Sequence, residues 1–231
     1  AEEVVIWTDV SGVMTADPDL VPNAYPIERL SYMEALELAN FGARMFHPRT
    51  MIPLIESNIP LFIRNTLDGS RPGTLVDRSG SEDEQRPTSV TSLEKLALLD
   101  IQVQSLAHRP RISERVQRAL DREGVTVWLA TQSAHGQALS VVVPAEAAER
   151  ARASIEKELA GEMERHELQP IGIETPVTLV TLVAEAMGRT VNVAGRQFAA
   201  LGSVGVNIMA IGQSASSRSI SCVVPAAETN T

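Results

Sequence analysis

A single cysteine, Cys222, excludes an intramolecular disulfide, which suits a reducing compartment, so a cytoplasmic location is expected. Aromatic residues are scarce at 3%, so any core must be built from Val, Leu, Ile, Ala and Met. No apolar run reaches the roughly 18 residues of a membrane-spanning helix. The acidic Ala1-Glu2-Glu3 before apolar Val4-Val5-Ile6-Trp7 is not a signal-peptide pattern. Positive charge is also in deficit. The net charge of −9 argues against nucleic acid or an anionic membrane as a nonspecific partner, since both need a cationic surface. A few local cations can still hold a small anionic ligand. The four histidines, His47, His108, His135 and His166, have no partners at metal-ligand spacing, so no metal site is expected. Cys222 lies in an apolar strand and reads as a packed hydrophobe.

With 44% hydrophobic and 21% charged residues, the 231-residue chain has the composition of a globular protein. Both of its ends read as cut, as in a piece of a longer protein. Residues 67–92 are dense in Gly, Pro, Ser and acids, and 79–92 is expected as a linker. Before it lies a mixed α/β region. Residues 4–7 form an apolar run, and 31–46 follow a helical pattern with Ser31 and Glu34 spaced as a capping box. Residues 49–56 read as a short helix and 60–65 as a strand.

After the linker the chain repeats itself. A shift of 81 positions places Leu98 on Leu179, Arg115 on Arg196, Gly124-Val125 on Gly205-Val206, Gln132-Ser133-Ala134 on Gln213-Ser214-Ala215, and Val142-Val143-Pro144-Ala145 on Val223-Val224-Pro225-Ala226, without a gap. Each copy reads as a strand (96–104; 177–185), a helix, a stop at Gly124 or Gly205, and two more strands (126–133 and 138–143; 206–213 and 219–224). The first helix carries Ile112, Val116, Ala119 and Leu120 on one face; the second has Val193, Gln197, Ala200 and Leu201 at the matching places. The first copy continues with a helix over 145–159 and a candidate strand over 164–173, which completes the ferredoxin-like β-α-β-β-α-β unit. The second stops after its third strand. It is completed by later residues, by a strand taken from elsewhere, or not at all.

Several ordered motifs carry a family resemblance. Residues 6–18, Ile-Trp-Thr-Asp-Val-Ser-Gly-Val-Met-Thr-Ala-Asp-Pro, resemble the aspartate kinase nucleotide-site segment W-T-D-V-x-G-[VI]-Y-[ST]-x-D-P-R. Leu30-Ser31-Tyr32-Met33-Glu34-Ala35 and residues 37–50 resemble L-S-Y-x-E-A and E-L-A-x-F-G-A-K-V-L-H-P-R-T. Residues 59–66 and 72–75 match I-P-x-x-I-R-N-T and P-G-T, and residues 193–221 resemble the second ACT repeat of bifunctional aspartokinase/homoserine dehydrogenases. The family's tyrosine, its arginine after D-P, and its lysine in F-G-A-K are replaced by Met14, Asp19 and Arg44. Its glycine-rich K-F-G-G-T segment and central catalytic residues are absent from these 231 residues.

The resemblance implies an α/β chain: the C-terminal part of an amino-acid-kinase-type catalytic domain (1–78), the linker (79–92), a first ACT repeat (93–174) and an incomplete second one (175–231). It implies an aspartate kinase, which moves the γ-phosphoryl group of ATP, brought with Mg²⁺, onto the side-chain carboxylate of aspartate. The polypeptide alone is expected to be inactive. Thr8, Asp9, Met14, Asp19, Arg44 and Met45 fall on the nucleotide-binding positions. Taken alone, Thr8 and Asp9 also suit a strand-ending turn, and Arg44 suits a surface helix. Gln132 and Gln213 are the candidate effector residues, since a primary amide both donates and accepts; a plain strand end is their other reading. Threonine is the first expected effector and lysine the second: residues 210–213 and their Ser-rich continuation look most like the bifunctional enzymes, and no carboxylate stands beside either glutamine in the sequence. A homodimer through the ACT repeats is expected. The rival reading is a non-catalytic ACT sensor acting on a separate kinase.

Overall fold

The computed structural model describes residues 1–41, 48–80, 88–104, 111–134, 136–185, 187, 190–213 and 218–228. The first lobe contains β1 (Val4–Thr8), β2 (Arg29–Ser31), α1 (Tyr32–Asn40), α2 (Pro48–Ser57), β3 (Leu61–Asn65) and β4 (Thr74–Asp77). Its strands lie in the order β1-β3-β4-β2, with β1 and β3 parallel. Alternation along β3 buries Leu61 and Ile63 against Leu30, Val76, Leu38 and Met51. Helix α1 starts at the anticipated capping box. Glu34 donates its N–H to the Ser31 hydroxyl at 3.1 Å, and its carboxylate accepts the Ser31 N–H at 2.8 Å. Such a cap is worth about 1 kcal/mol.

The second lobe is one six-stranded sheet. It comprises β5 (Ser89–Gln102), α3 (Ile112–Arg122), β6 (Leu129–Gln132), β7 (Ala138–Pro144), α4 (Ala148–Glu158), α5 (Ala160–Glu164), β8 (Gly172–Val183), α6 (Val193–Ser203), β9 (Ala210–Gln213) and β10 (Ser219–Pro225). The strand order is β6-β7-β5-β8-β10-β9. Two long strands generate both repeats. The C-terminal half of β5 pairs with β7 and with the start of β8, giving the first unit its first and fourth strands. The C-terminal half of β8 pairs with β10 on one side and with residues 89–93 on the other. Of the three ways of completing the second copy, the chain uses the borrowed strand. Each unit then has the order 4-1-3-2, and the two share β5 and β8 reciprocally.

Residues 89–92, expected as linker, are therefore strand: their backbone is paired with Val183, Leu182, Thr181 and Val180. Residues 164–173 also depart from expectation. Arg115 on α3 grips Glu158 and Glu162, and that anchor holds residues 160–164 as helix α5. Among the described residues, Leu168 alone makes a bridge, to Val103, before β8 begins. A 3-10 turn at Ala145–Ala147 precedes α4.

Alternate residues of the long strands face two apolar layers. Ala97, Leu99 and Ile101 pack with Ile112, Val116 and Leu120 of α3 and with Ala148, Ala151 and Ile155 of α4. Val180, Cys222 and Val224 pack with Phe198 and Leu201 of α6. Burial pushes the Cys222 thiol up to about 11, in keeping with a packed rather than reactive cysteine. On the other face, Leu96, Leu98, Val142, Val177, Leu179 and Val223 form a layer of their own. The sheet rolls around that layer until its two outermost strands touch: Leu129 lies against Gly212, where an added Cβ would sit 2.1 Å from Leu129 Cδ1. Among the described residues no helix is long and apolar enough to cross a membrane.

The lobes interlock. Val183, the last residue of β8, joins the core of the first lobe, and Phe41 joins the layer inside the rolled sheet. Ser31 donates its hydroxyl to Glu185 at 2.5 Å, Arg218 bonds Glu185 at 3.0 Å, and Ser219 donates to Glu37 at 2.9 Å.

Within the second unit, the Thr181 and Ser221 hydroxyls face each other across β8 and β10 at 2.8 Å, both fully buried. Thr181→Val and Ser221→Ala should each cost about 1–3 kcal/mol, because each strands the partner's hydroxyl. The double variant should cost clearly less than their sum, as read by urea unfolding.

Candidate nucleotide and effector sites

Ligands of open α/β sheets bind beyond the carboxyl ends of parallel strands, and in the first lobe the quoted motifs meet there. The loop after β1 holds Ser11-Gly12-Val13, β3 ends in Asn65-Thr66, and Pro72-Gly73-Thr74 leads into β4. The Thr66 N–H donates to the Thr8 carbonyl at 2.8 Å, and the Asn65 amide donates to the Ser11 hydroxyl at 3.1 Å. Gly73 has φ +76°, and a Cβ there would lie 2.0 Å from the Ile63 carbonyl oxygen, so the close turn onto β3 admits only glycine. Gly12, at φ +128°, approaches Thr74 in the same way, with a Cβ only 2.5 Å from its hydroxyl.

Residues 13–27 form a hairpin-like loop. Thr15 donates its N–H to the Tyr25 carbonyl at 3.0 Å, Ile27 donates to Val13 at 2.7 Å, and Met14 bridges Pro26. Its tip is a turn in which Leu20 and Val21 donate to the Asp17 carbonyl. The hydroxyl of the buried Thr74 accepts the Val13 N–H at 2.8 Å and donates to the Ile27 carbonyl at 2.6 Å, joining both arms at the base.

The structure places Thr8 and the exposed Asp9 at the end of β1, with the Thr8 hydroxyl donating to the Asp9 carboxylate at 3.1 Å. Met14 is half-buried in the base of the hairpin, while Asp19 is exposed at its tip, where its N–H donates to Asp17 at 2.9 Å. Arg44 and Met45 lie outside the described residues. Asn65, Gly73 and Thr74 were present in the motifs but carried no assigned role; what singles them out is contact across the fold. Arg64 on β3 is a further cation at this end, its guanidinium 5.0 Å from the Phe62 ring centre and its Nε buried without a hydrogen-bond partner among the described residues.

Gln132 and Gln213 are both exposed, each the last residue of its strand. Gln132 lines a cavity of about 270 Å³ with Arg111, Ile112, Ser113, Glu114, Gly136 and Leu139, at the N-terminal end of α3. The residues just after Gln213, 214–217, lie outside the described residues. One sequence-based expectation changes here. No carboxylate neighbours either glutamine along the chain, yet folding brings Glu114 into the Gln132 cavity. Among the described residues no cluster of three or more His, Cys, Asp or Glu could hold a metal ion.

Thr74→Val should orphan the Val13 N–H and the Ile27 carbonyl, at about 1–3 kcal/mol for each buried group left unpaired. Thr74→Ser keeps the hydroxyl and should recover most of that loss in thermal or urea unfolding.

The amino acid kinase family matches residues 1–65, and the ACT domain matches residues 180–231. The bifunctional aspartokinase/homoserine dehydrogenase of Haemophilus influenzae is 39% identical over 220 residues, which cover 95% of this chain and 27% of that protein. Aspartate kinase from Clostridium acetobutylicum superposes with a TM-score of 0.86 at 25% identity, over 100% of this chain and 52% of that one. Escherichia coli aspartokinase III in complex with aspartate and ADP gives 0.80 at 27% identity, over 100% of this chain and 50% of that one. The chain thus spans about a quarter of that bifunctional relative and half of the solved kinases. Along almost its whole length the chain is similar to aspartate kinases, with a segment matching the amino acid kinase family followed by one matching the ACT domain.

Proposed function

We propose that this chain serves an aspartate kinase that converts ATP and L-aspartate to 4-phospho-L-aspartate, and that its ACT units bind an amino-acid effector. The observation that carries the first half is the meeting of three separate motif segments at the ends of β1 and β3. Phosphoryl transfer is mostly positioning and charge neutralisation. Thr8 and Asp9 present a hydroxyl, a carboxylate and backbone groups to the nucleoside, and Arg44 supplies a cation for phosphate. Met14 offers an apolar surface where the family has tyrosine, while Asp19 would repel phosphate. Mg²⁺ would arrive with ATP as part of the substrate.

The Gln132 cavity supports the second half. The Arg111 guanidinium and the positive end of α3 suit an α-carboxylate, while the Gln132 amide and the Ser113 hydroxyl suit the polar remainder of an amino acid. Threonine remains the first effector, from the likeness to bifunctional enzymes. Glu114 gives a lysine ammonium a partner and keeps lysine second. A homodimer formed through the ACT units completes the proposal.

Calorimetry with threonine and lysine on the native chain, Gln132→Ala and Gln213→Ala tests the effector site. Loss of one amide bonded to ligand should weaken binding roughly 5- to 150-fold. Threonine binding that neither substitution weakens would contradict the assigned site, and binding of lysine alone would reverse the order of effectors. A chain that binds effector but no ADP would instead be a regulatory sensor.

A further inference from the structure

The hairpin that carries Met14 is held from two sides. Thr74, from the first lobe, joins its arms at the base. The other hold comes from the second lobe. Ser89 donates its hydroxyl to the Met14 carbonyl at 3.0 Å and shares it with the Thr15 carbonyl at 3.1 Å. The next residue, Val90, donates its backbone N–H to the same Thr15 carbonyl at 2.9 Å. Ser89 is only 5% exposed, so these bonds are shielded from water. The bonded residues are about 75 positions apart in the chain.

Residues 89–93 are also the strand that completes the second ACT unit, paired with Val183 to Leu179. Thr88 donates its N–H to the Val183 carbonyl at 2.8 Å, and Val183 itself is part of the first lobe's core. One strand therefore has two duties. On one side it closes the sheet of the effector-binding module. On the other it fixes the backbone of a hairpin that bears two nucleotide-site candidates, Met14 and Asp19.

We propose that Ser89 is a positioning residue for the nucleotide site: its hydroxyl, together with the Val90 N–H, sets the place of the Met14 hairpin and makes that place depend on the edge strand of the second ACT unit. The inference rests on the reading of residues 8–19 as nucleotide-binding. Ser89 does not touch nucleotide in this account; it acts through Met14 and Thr15. A shift of the strand along β8 would move the Thr15 carbonyl with it.

The test compares the native chain with Ser89→Ala and Ser89→Thr, the latter keeping the hydroxyl. Amide hydrogen exchange is followed at Thr15 and Ile27, whose N–H groups bond across the hairpin, and at Val141 in β7 as a remote control. ADP with Mg²⁺ is titrated by calorimetry. Ser89→Ala should speed exchange at Thr15 and Ile27 and weaken ADP binding, each roughly 5- to 150-fold for a lost buried hydrogen bond. Val141 should stay within about twofold of native, and Ser89→Thr should restore both readouts. Native-like hairpin exchange and ADP affinity in Ser89→Ala would overturn the proposal. So would equal acceleration at Val141, which marks a purely structural role. A native chain that binds no ADP would overturn the nucleotide reading and the positioning role with it. ADP binding that is indifferent to Ser89 would overturn the positioning role alone.

Discussion

The pairing of β5 with β8 is the contact on which the second lobe depends. Each strand is long enough to serve two units, and each begins one unit where it ends the other. The register shifts of β5, between Leu93 and Leu96 and between Leu96 and Leu98, fall where it passes from one unit to the other. Such irregularities bend a strand and increase its twist. The bend lets the six strands roll up until Leu129 meets Gly212, so the layer of Leu96, Leu98, Val142, Val177, Leu179 and Val223 is covered without a third sheet of helices. Neither unit has a complete sheet without residues of the other, so the two share one continuous six-stranded sheet.

The same economy governs the join to the first lobe. Val183 ends a strand of the second lobe and fills the core of the first, while Phe41 crosses in the opposite direction. Around that apolar seam lie short polar bonds, Ser31 to Glu185, Arg218 to Glu185 and Ser219 to Glu37. Arg218 and Ser219 follow the segment that leaves Gln213, and Ser31 is the cap of α1.

Much of this was legible in residue pattern. The Ser31–Glu34 capping box is a local signal, and the structure forms both of its hydrogen bonds. The 81-residue repeat disclosed two equivalent units, and the buried face Ile112, Val116, Ala119 and Leu120 followed from helical spacing. The borrowed strand was not legible in the same way. Residues 89–92 are Ser-Val-Thr-Ser after a stretch rich in Gly, Pro and acids, and such a composition describes a solvated loop until a partner strand is in view. Residues around the candidate sites were missed for a related reason. Thr74 and Ser89 act through hydrogen bonds to backbone 47 to 75 positions away, and Glu114 reaches the Gln132 cavity because α3 packs over β7. Spacing along the chain carries no trace of such contacts. The short helix over Ala160–Glu164 depends likewise on Arg115, a residue of another helix.

The central claim is that the shared strands make the two ACT units one cooperative body. Native-state hydrogen exchange across β5, β8 and β10 tests it most directly. If the claim holds, slow amides in residues 89–93 and 177–183 open with the same free energy as those of β7 and β10, in a single transition. Residues 89–93 exchanging at the rate of an exposed loop, with β7 and β10 opening at separate free energies, would contradict it.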